Sequence, residues 1–395
     1  MKTVKIQIIQ SLIIISSCLL LNTAPVNARE VDGLFEISIA VDDQNNTTRN
    51  SATRKALVDV MVRISGQSKA ASNSIIQSNL KKSTAYIQRY LYREVETLDE
   101  KGQPVEQLIL DLVFDEMALR NLLRDADLPL WGSNRPQALI WLAIGDQQQR
   151  FLMGTDDESL LKAINKPTIT ASEEIAETPL NLINIITEKA ASRGLPILLP
   201  LMDLEDSVNI HVADVWGRFI TPIRQASERY NSDAIVAAQM IREADGWLTR
   251  WLLLHEGRTI SWEIVSDSIE SSLNLGIDSI ADQLAEQYAV YEDSLQRNEI
   301  LVSVNNVQSV EDFANLMSYL QSITSIYSVN VAKVTASTIQ LRVNLIGEQQ
   351  SLIQAISLNS KLSIESTPSI DPTSVQTKLP ALFFRWNSET VALSL

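Results

Sequence analysis

Apolar residues along the chain switch between helical and strand spacing, in an order that divides it into several units. Residues 34–41 (Leu34-Phe35-Glu36-Ile37-Ser38-Ile39-Ala40-Val41) alternate as a half-buried strand does. Ala56, Leu57, Val60, Met61 and Ile64 then recur at helical spacing, between a cap at Asn50 or Ser51 and a stop at Gly66. A second helix is predicted over residues 74–94, with Ile76, Leu80, Ile87, Tyr90 and Leu91 on its apolar side. A hairpin follows around Asp99–Pro104, returning through the alternating Leu108, Leu110, Leu112 and Phe114. A short helix over residues 116–125 and the segment Leu128-Pro129-Leu130-Trp131-Gly132 complete this unit.

The next stretch reads differently. Residues 138–144 are a continuous apolar run, as expected of a strand buried on both faces. Residues 145–175 are polar and predict a long loop, residues 180–192 predict a helix, and residues 195–201 a second buried strand between prolines. A helix over 220–230, a strand over 234–240, and two alternating strands joined at Glu256-Gly257 come next. Trp247 and Trp251 share a face of the first hairpin strand, and Trp262 lies on the second, predicting aromatic packing across them. A helix over 272–292 closes the unit. From about 298 to 366 the order is βαββαβ, the ferredoxin-like pattern, with Ser309 capping its first helix. The expected class is therefore α+β in three small modules: residues 29–132, a mixed sheet with helix cover over 137–295, and a ferredoxin-like unit over 298–366. Residues 367–395 form a tail whose aromatic segment, Phe383, Phe384 and Trp386, is expected to dock on the body, with partner binding as the alternative that makes these three residues candidate partner-binding positions.

The amino terminus adds a location. Lys2 and Lys5 precede an apolar stretch from Ile6 to Leu21, and Val26-Asn27-Ala28 supplies small residues at a cleavage site. Residues 1–28 thus read as a secretory signal peptide, cleaved after Ala28, and the expected compartment is a bacterial periplasm. An alternative is Ile15-Ser16-Ser17-Cys18 as a lipobox, which would anchor the protein in the outer membrane through Cys18; three leucines directly after Cys18 argue against it. Cys18 is the one cysteine, so removing the signal leaves neither a disulfide nor a thiolate metal site. No further apolar run has membrane-spanning length.

Charge and chemistry narrow the function. The 395 residues carry a formal net charge of −15, which argues against gripping a phosphate backbone and hence against nucleic acid as a partner. There is no Gly-x-Ser-x-Gly elbow, no His-Glu-x-x-His, no Walker loop and no Gly-x-Gly-x-x-Gly. The two histidines are His211 and His255, the latter expected to be exposed beside the hairpin glycine. No residue is assigned a catalytic role and no cofactor is expected. The densest candidate is the loop carrying Asp203, Glu205, Asp206, His211 and Asp214 after a strand, where open α/β sheets bind ligands. Asp203, Asp206, His211 and Asp214 could hold a divalent cation or ligand, although their spacing matches no calcium loop. Arg229 is expected to pair with Asp214 or Asp233.

Two blocks carry a family resemblance. One is Val31-Asp32-Gly33-Leu34-Phe35 with Arg49–Gly66; the other is Gly194-Leu195-Pro196 through Leu199-Pro200-Leu201-Met202-Asp203, Asp214-Val215-Trp216-Gly217 and Ala226-Ser227-Glu228-Arg229-Tyr230. Together they resemble an exported family of Gram-negative bacteria labelled domain of unknown function 2066, over most of residues 30–365. The middle region is more loosely similar to α/β domains of envelope-assembly proteins of the curli-secretion and Tol types. The first region is similar to amino-terminal domains of flagellar-accessory outer-membrane proteins. These resemblances imply binding or assembly work with envelope proteins. The alternatives at this stage are a carboxylate-dependent hydrolase of envelope glycans, which needs only two acids, and the lipoprotein anchored through Cys18.

Overall fold

The computed structural model describes residues 31–98, 104–146, 150–155, 181–243, 246–291, 297–335, 337–358, 361–365 and 381–387. The signal-peptide assignment for residues 1–28, and most of the loop expected over 145–175, lie outside them. Within these segments the protein is α+β, with three sheets.

The first sheet has the order β1-β3-β2, with β1 (Glu36–Val41), β2 (Ile87–Leu98) and β3 (Pro104–Phe114) antiparallel. Helix α1 (Asn46–Ser65) packs Ala56, Leu57, Val60, Met61 and Ile64 into the core with Leu110, Leu112 and Phe114 of β3. The expected helix over 74–94 is corrected. Helix α2 covers only Ser74–Asn79, a 3-10 turn spans Leu80–Tyr86, and Ile87 begins strand β2. Residues 87–98 pair with the whole length of β3, and that ladder prevails over the weaker helical spacing. Helix α3 (Glu116–Asp125) is capped by Asp115, whose side chain accepts from the Ala118 amide.

The second sheet has the order β5-β4-β7-β8-β9. Its centre is β4 (Ala138–Gly145), parallel to β7 (Ala234–Glu243), which runs antiparallel to β8 (Gly246–His255) and that to β9 (Arg258–Ser266). The other edge of β4 is shared: β6 (Ile197–Leu198) pairs with its first residues and β5 (Arg150–Met153) with its last. The prolines around β6 keep it to two residues, shorter than the strand expected over 195–201. Both faces of β4 are buried. Ile140 and Leu142 face α4 (Asn181–Arg193) and α8 (Ile269–Tyr288). On the other face a short helix α5 (Leu204–Asn209) leads into α6 (Val212–Trp216) and α7 (Ile220–Ser227), and the last two pack against Leu139 and Trp141. Trp251 pairs directly with Trp262, their rings stacked 6.2 Å apart. Gly276 leaves the space that the Trp251 ring fills, since a Cβ there would lie 2.0 Å from it.

The third sheet is β11 (Ile326–Val334), β12 (Thr338–Ile346), β10 (Arg297–Asn305), β14 (Ala381–Trp386) and β13 (Leu362–Ile364), in that order, with α9 (Val310–Ser322) and α10 (Gln349–Ser357). The βαββαβ order is present, but β14 enters between β10 and β13, parallel to the first and antiparallel to the second. The aromatic tail is thus a central strand. Phe384 and Trp386 are buried with Leu316, Tyr319 and Leu341, and only Phe383, on the opposite face, is half-buried. Their period-two spacing matches the pleat, so the segment docks on the body as core packing, and Phe384 and Trp386 are not open to a partner.

One junction joins the first two modules. Helices α1 and α4 end side by side, and each leaves carbonyl oxygens without helical partners. Arg135, fully buried, donates to five of these and neighbouring oxygens: Arg63 O at 2.9 Å, Trp131 O at 2.8 Å, Gly132 O at 2.8 Å, Arg193 O at 2.7 Å and Gly194 O at 3.1 Å. Its guanidinium also stacks over the Trp131 ring at 4.1 Å. Two exchanges flank it: Arg63 of α1 donates to Ser192 O of α4, and Arg193 of α4 donates to Gly66 O. Gly66 caps α1 with φ +69°, and a Cβ there would fall 2.3 Å from Ala285 and 2.5 Å from Trp131. The same linker reaches the third module, where Asn134 donates to Ala355 O and Gly132 meets Thr324.

Arg135→Met keeps the side chain's bulk and strips these carbonyls of their donor; we expect a loss of at least about 3 kcal/mol in denaturant melts. Gly66→Ala, strained and clashing, is expected to cost about 2 kcal/mol or more. Wild-type midpoints in both would contradict the junction's role. In the third module, Phe384→Ala is expected to cost about 3–5 kcal/mol, and Phe383→Ser far less; equal effects would contradict the placement of β14.

Candidate functional site

The structure gathers the acidic loop, but around an arginine. Asp203 caps α5 by accepting from the Asp206 amide, and Arg229 grips its carboxylate bidentately at 2.7 and 2.8 Å. Arg229 also reaches Asp206 at 3.1 Å and Glu205 at 3.7 Å. Asp206 is buried, and its other oxygen accepts from the Met202 amide and the Tyr230 hydroxyl. Tyr230 in turn accepts from the Leu201 amide and sets its ring edge-on to Trp141. Arg229 thus pairs with Asp203 and Asp206, in place of the expected Asp214 or Asp233. Asp214 lies on α6, where it closes a cap by accepting from the His211 amide at 2.8 Å. The loop therefore places Asp203 and Asp206 together and leaves His211 and Asp214 in a separate cap. Among the described residues no group of three or more His, Cys, Asp or Glu is arranged to hold a metal ion.

The electrostatics agree with this assignment. Hydrogen bonds from Arg229 and the Asp206 amide hold the Asp203 carboxyl far below the usual carboxylate range, and the same pair raises Arg229. Burial, with the Asp206 carboxylate beside it, pushes the Tyr230 hydroxyl up to about 12. These groups are held in one protonation state at neutral pH, which is unsuited to exchanging protons with a substrate.

His255, expected to be exposed, is 8% exposed. Its Nδ1 donates to the Asp233 carbonyl at 2.8 Å, and its Nε2 pairs with the Tyr288 hydroxyl at 2.7 Å, with Glu256 on the far side of that hydroxyl. The hairpin turn brings the end of β8 under the end of α8, and this contact covers the ring.

A different place carries the concavity that sequence reading missed. Between β1 and α1 of the first module and α4 and α8 of the second lies a cleft of about 560 Å³. Ile37, Ile39, Val58 and Val62 supply its apolar lining, and Lys55, Asp59, Arg63, Lys189, Arg193 and Asp278 its charges. Arg193, 2% exposed at its side chain, is bound to Asp278 at 2.6 Å and to Asp282 at 2.7 Å, and Lys189 shares Asp278 at 2.8 Å. Asp59 is half-buried, and burial raises its pKa against the pull of Lys55, Arg63 and Lys189. The one available signal was spacing: Lys55, Asp59 and Arg63 on one helix and Lys189 and Arg193 on another each recur every four residues.

Comparison with known proteins corrects the expected family. The family model that matches is domain of unknown function (DUF8605), over residues 28–132. The match covers the first module, and the expectation of family 2066 is withdrawn in its favour. The blocks quoted for that resemblance, a capped helix and a strand–helix turn, are patterns that many α+β folds share. No curated protein matches. Among solved structures, the crystal structure of S. aureus homoserine dehydrogenase at pH 6.0 aligns with 49% of this chain and 55% of its own, about half of that protein's length. Its identity is 13% and its TM-score 0.12, which supports no inference of fold or function.

A depressed carboxylate pKa contributes stability that is present above the unfolded value near 4 and is lost as pH falls through the folded one. Asp203→Asn is therefore expected to lower the melting temperature at pH 7 and to converge with the parent chain in strong acid. Parallel curves from pH 2 to 7 would contradict the Arg229 pairing.

Proposed function

We propose that this chain is an exported binding or assembly factor of the bacterial cell envelope, without catalytic chemistry, and that the cleft between its first two modules is its binding element. The observation that carries this reading is the cleft itself. It is a mixed apolar and charged concavity, walled by two modules that the Arg135 junction holds together. Clefts between modules are a common place for ligands. The carboxylates that could have served a glycan hydrolase, Asp203, Asp206 and Asp214, are engaged in an arginine grip and helix caps. Export to the periplasm is supported by the pattern of residues 1–28. Among the described residues no helix is long and apolar enough to cross a membrane.

A photoreactive side chain at Ser38, on the cleft wall, tests this in cells, with Lys333 on β11 as the distant control. After illumination and isolation of the periplasmic fraction, intact-mass analysis is expected to show an adduct of defined mass from Ser38 and none from Lys333. No adduct, equal labelling at both positions, or absence of the chain from the periplasm would contradict the proposal.

A further inference from the structure

The charge around the cleft runs against the charge of the chain. Lys55, Arg63, Lys189 and Arg193 line it, and Arg135 lies directly behind, within electrostatic reach of Arg63 and Arg193. The carboxylates that line it or pair with its lining arginines are Asp59, Asp278 and Asp282. Five cations thus meet three acids in a protein whose net charge is −15.

The pairing within that set leaves a definite remainder. Asp278 and Asp282 are taken up by Arg193 and Lys189. The hydrogen bonds of Arg135 all go to carbonyl oxygens, and Arg63 directs Nε and Nη1 to the carbonyls of Ser192 and Glu36. Their charges are held in place by backbone carbonyls, those of Arg63 and Ser192 at helix ends, which carry partial negative charge but no whole counter-ion. Asp59 is the remaining acid. Among the described residues it has no hydrogen-bond donor and no ion-pair partner in contact, although Lys55, Arg63 and Lys189 all act on it through space. Lys55 is exposed and has no contacting counter-ion among the described residues. A half-buried carboxylate ringed by cations that do not touch it, beside an apolar wall, marks a gap that a ligand would bridge.

We propose that the cleft binds a small molecule through an oxyanion, a carboxylate or a phosphate, which Lys55 grips with the Asp278-bound ammonium of Lys189 beside it, while the apolar residues of β1 and α1 receive its body. The surplus positive charge of the arginine junction draws the anion in, and partial burial strengthens the attraction relative to open water. Asp59 opposes it. The groups that face Asp59 are Lys55 and Arg63 on its own helix and Lys189 on α4, with Arg193 and Asp278 across the cleft. An arriving anion favours the neutral form of Asp59, which then donates a hydrogen bond in place of repelling, so that binding takes up a proton and tightens as pH falls.

The proposal rests on the cleft being the binding element, and its test separates the two. The full chain lacking its signal segment is titrated calorimetrically with inorganic phosphate and, separately, with citrate, at constant ionic strength set with sodium chloride. One of the two is expected to bind more tightly than about 1 mM. Phosphate alone would assign a phosphate-bearing ligand, and citrate alone a carboxylate. Lys55→Gln is expected to weaken binding about tenfold, Asp59→Asn to tighten it severalfold and abolish its pH dependence, and Lys333→Gln to change nothing. Both substituted cleft residues are accessible enough for the fold to persist, which the melting temperature checks. Neither anion binding, or equal losses in Lys55→Gln and Lys333→Gln, would overturn the oxyanion proposal. Labelling from Ser38 together with no anion binding would leave the cleft reading standing and remove this one.

Discussion

Two helices that end against each other cannot leave their last carbonyl oxygens buried and unpaired, and the way this protein meets that constraint organises the rest of it. Arg135 places a guanidinium between the ends of α1 and α4 and donates to both. Arg63 and Arg193 cross over, each bonding the other helix's end. Burial, and then the like charges of Arg63 and Arg193, pull the Arg135 pKa down from its usual value, and the carbonyl dipoles and the ring of Trp131 hold the charge in place. A lysine could not satisfy this geometry, because three donors on one atom do not fan out to oxygens on three segments. Gly66 is required for the same reason, since α1 must stop, reverse and lie against Trp131 and Ala285 in one residue.

The cleft follows from that junction. Arg135 pins α1 and α4 at their ends, and side chains at four-residue spacing on both helices line the space beside that junction. The charges there are a by-product of joining helix ends with arginines, and they produce a positive concavity in an acidic protein. The acidic loop shows the opposite resolution. Its carboxylates face a positive group supplied by the chain itself, Arg229, and close into a compact cap with Tyr230. Acidic density along a sequence therefore says little about ligand binding until its counter-ions are placed.

Much of the fold was legible because its signals are local. The α1 face from Ala56 to Ile64, the doubly buried β4, the Trp251–Trp262 pairing and the Ser309 cap all follow from spacing within a few residues. What failed depended on distant partners. Residues 87–94 suit helix and strand alike, and only β3 decides between them. β14 joins its sheet through β10, about eighty residues earlier, and β13, about twenty earlier, so nothing local to Phe384 and Trp386 shows that they pack inside a sheet rather than meet a partner. His255 is covered by Tyr288, from the end of the following helix. The cleft was invisible for the same reason: Lys55 and Lys189 line one space through the packing of two helices far apart in sequence, which Arg135 bonds at their ends.

The central claim is that the buried Arg135 guanidinium holds the first two modules in one arrangement. It is tested most directly by spin-label distances between Arg54 on α1 and Glu263 on β9, both exposed and each replaced by cysteine in a chain that begins at residue 29, which has no other cysteine. A single narrow distance distribution is expected in the parent chain, and a broad one after Arg135→Met with both modules still folded. A broad distribution in the parent, or a narrow one that Arg135→Met leaves unchanged, would contradict the account.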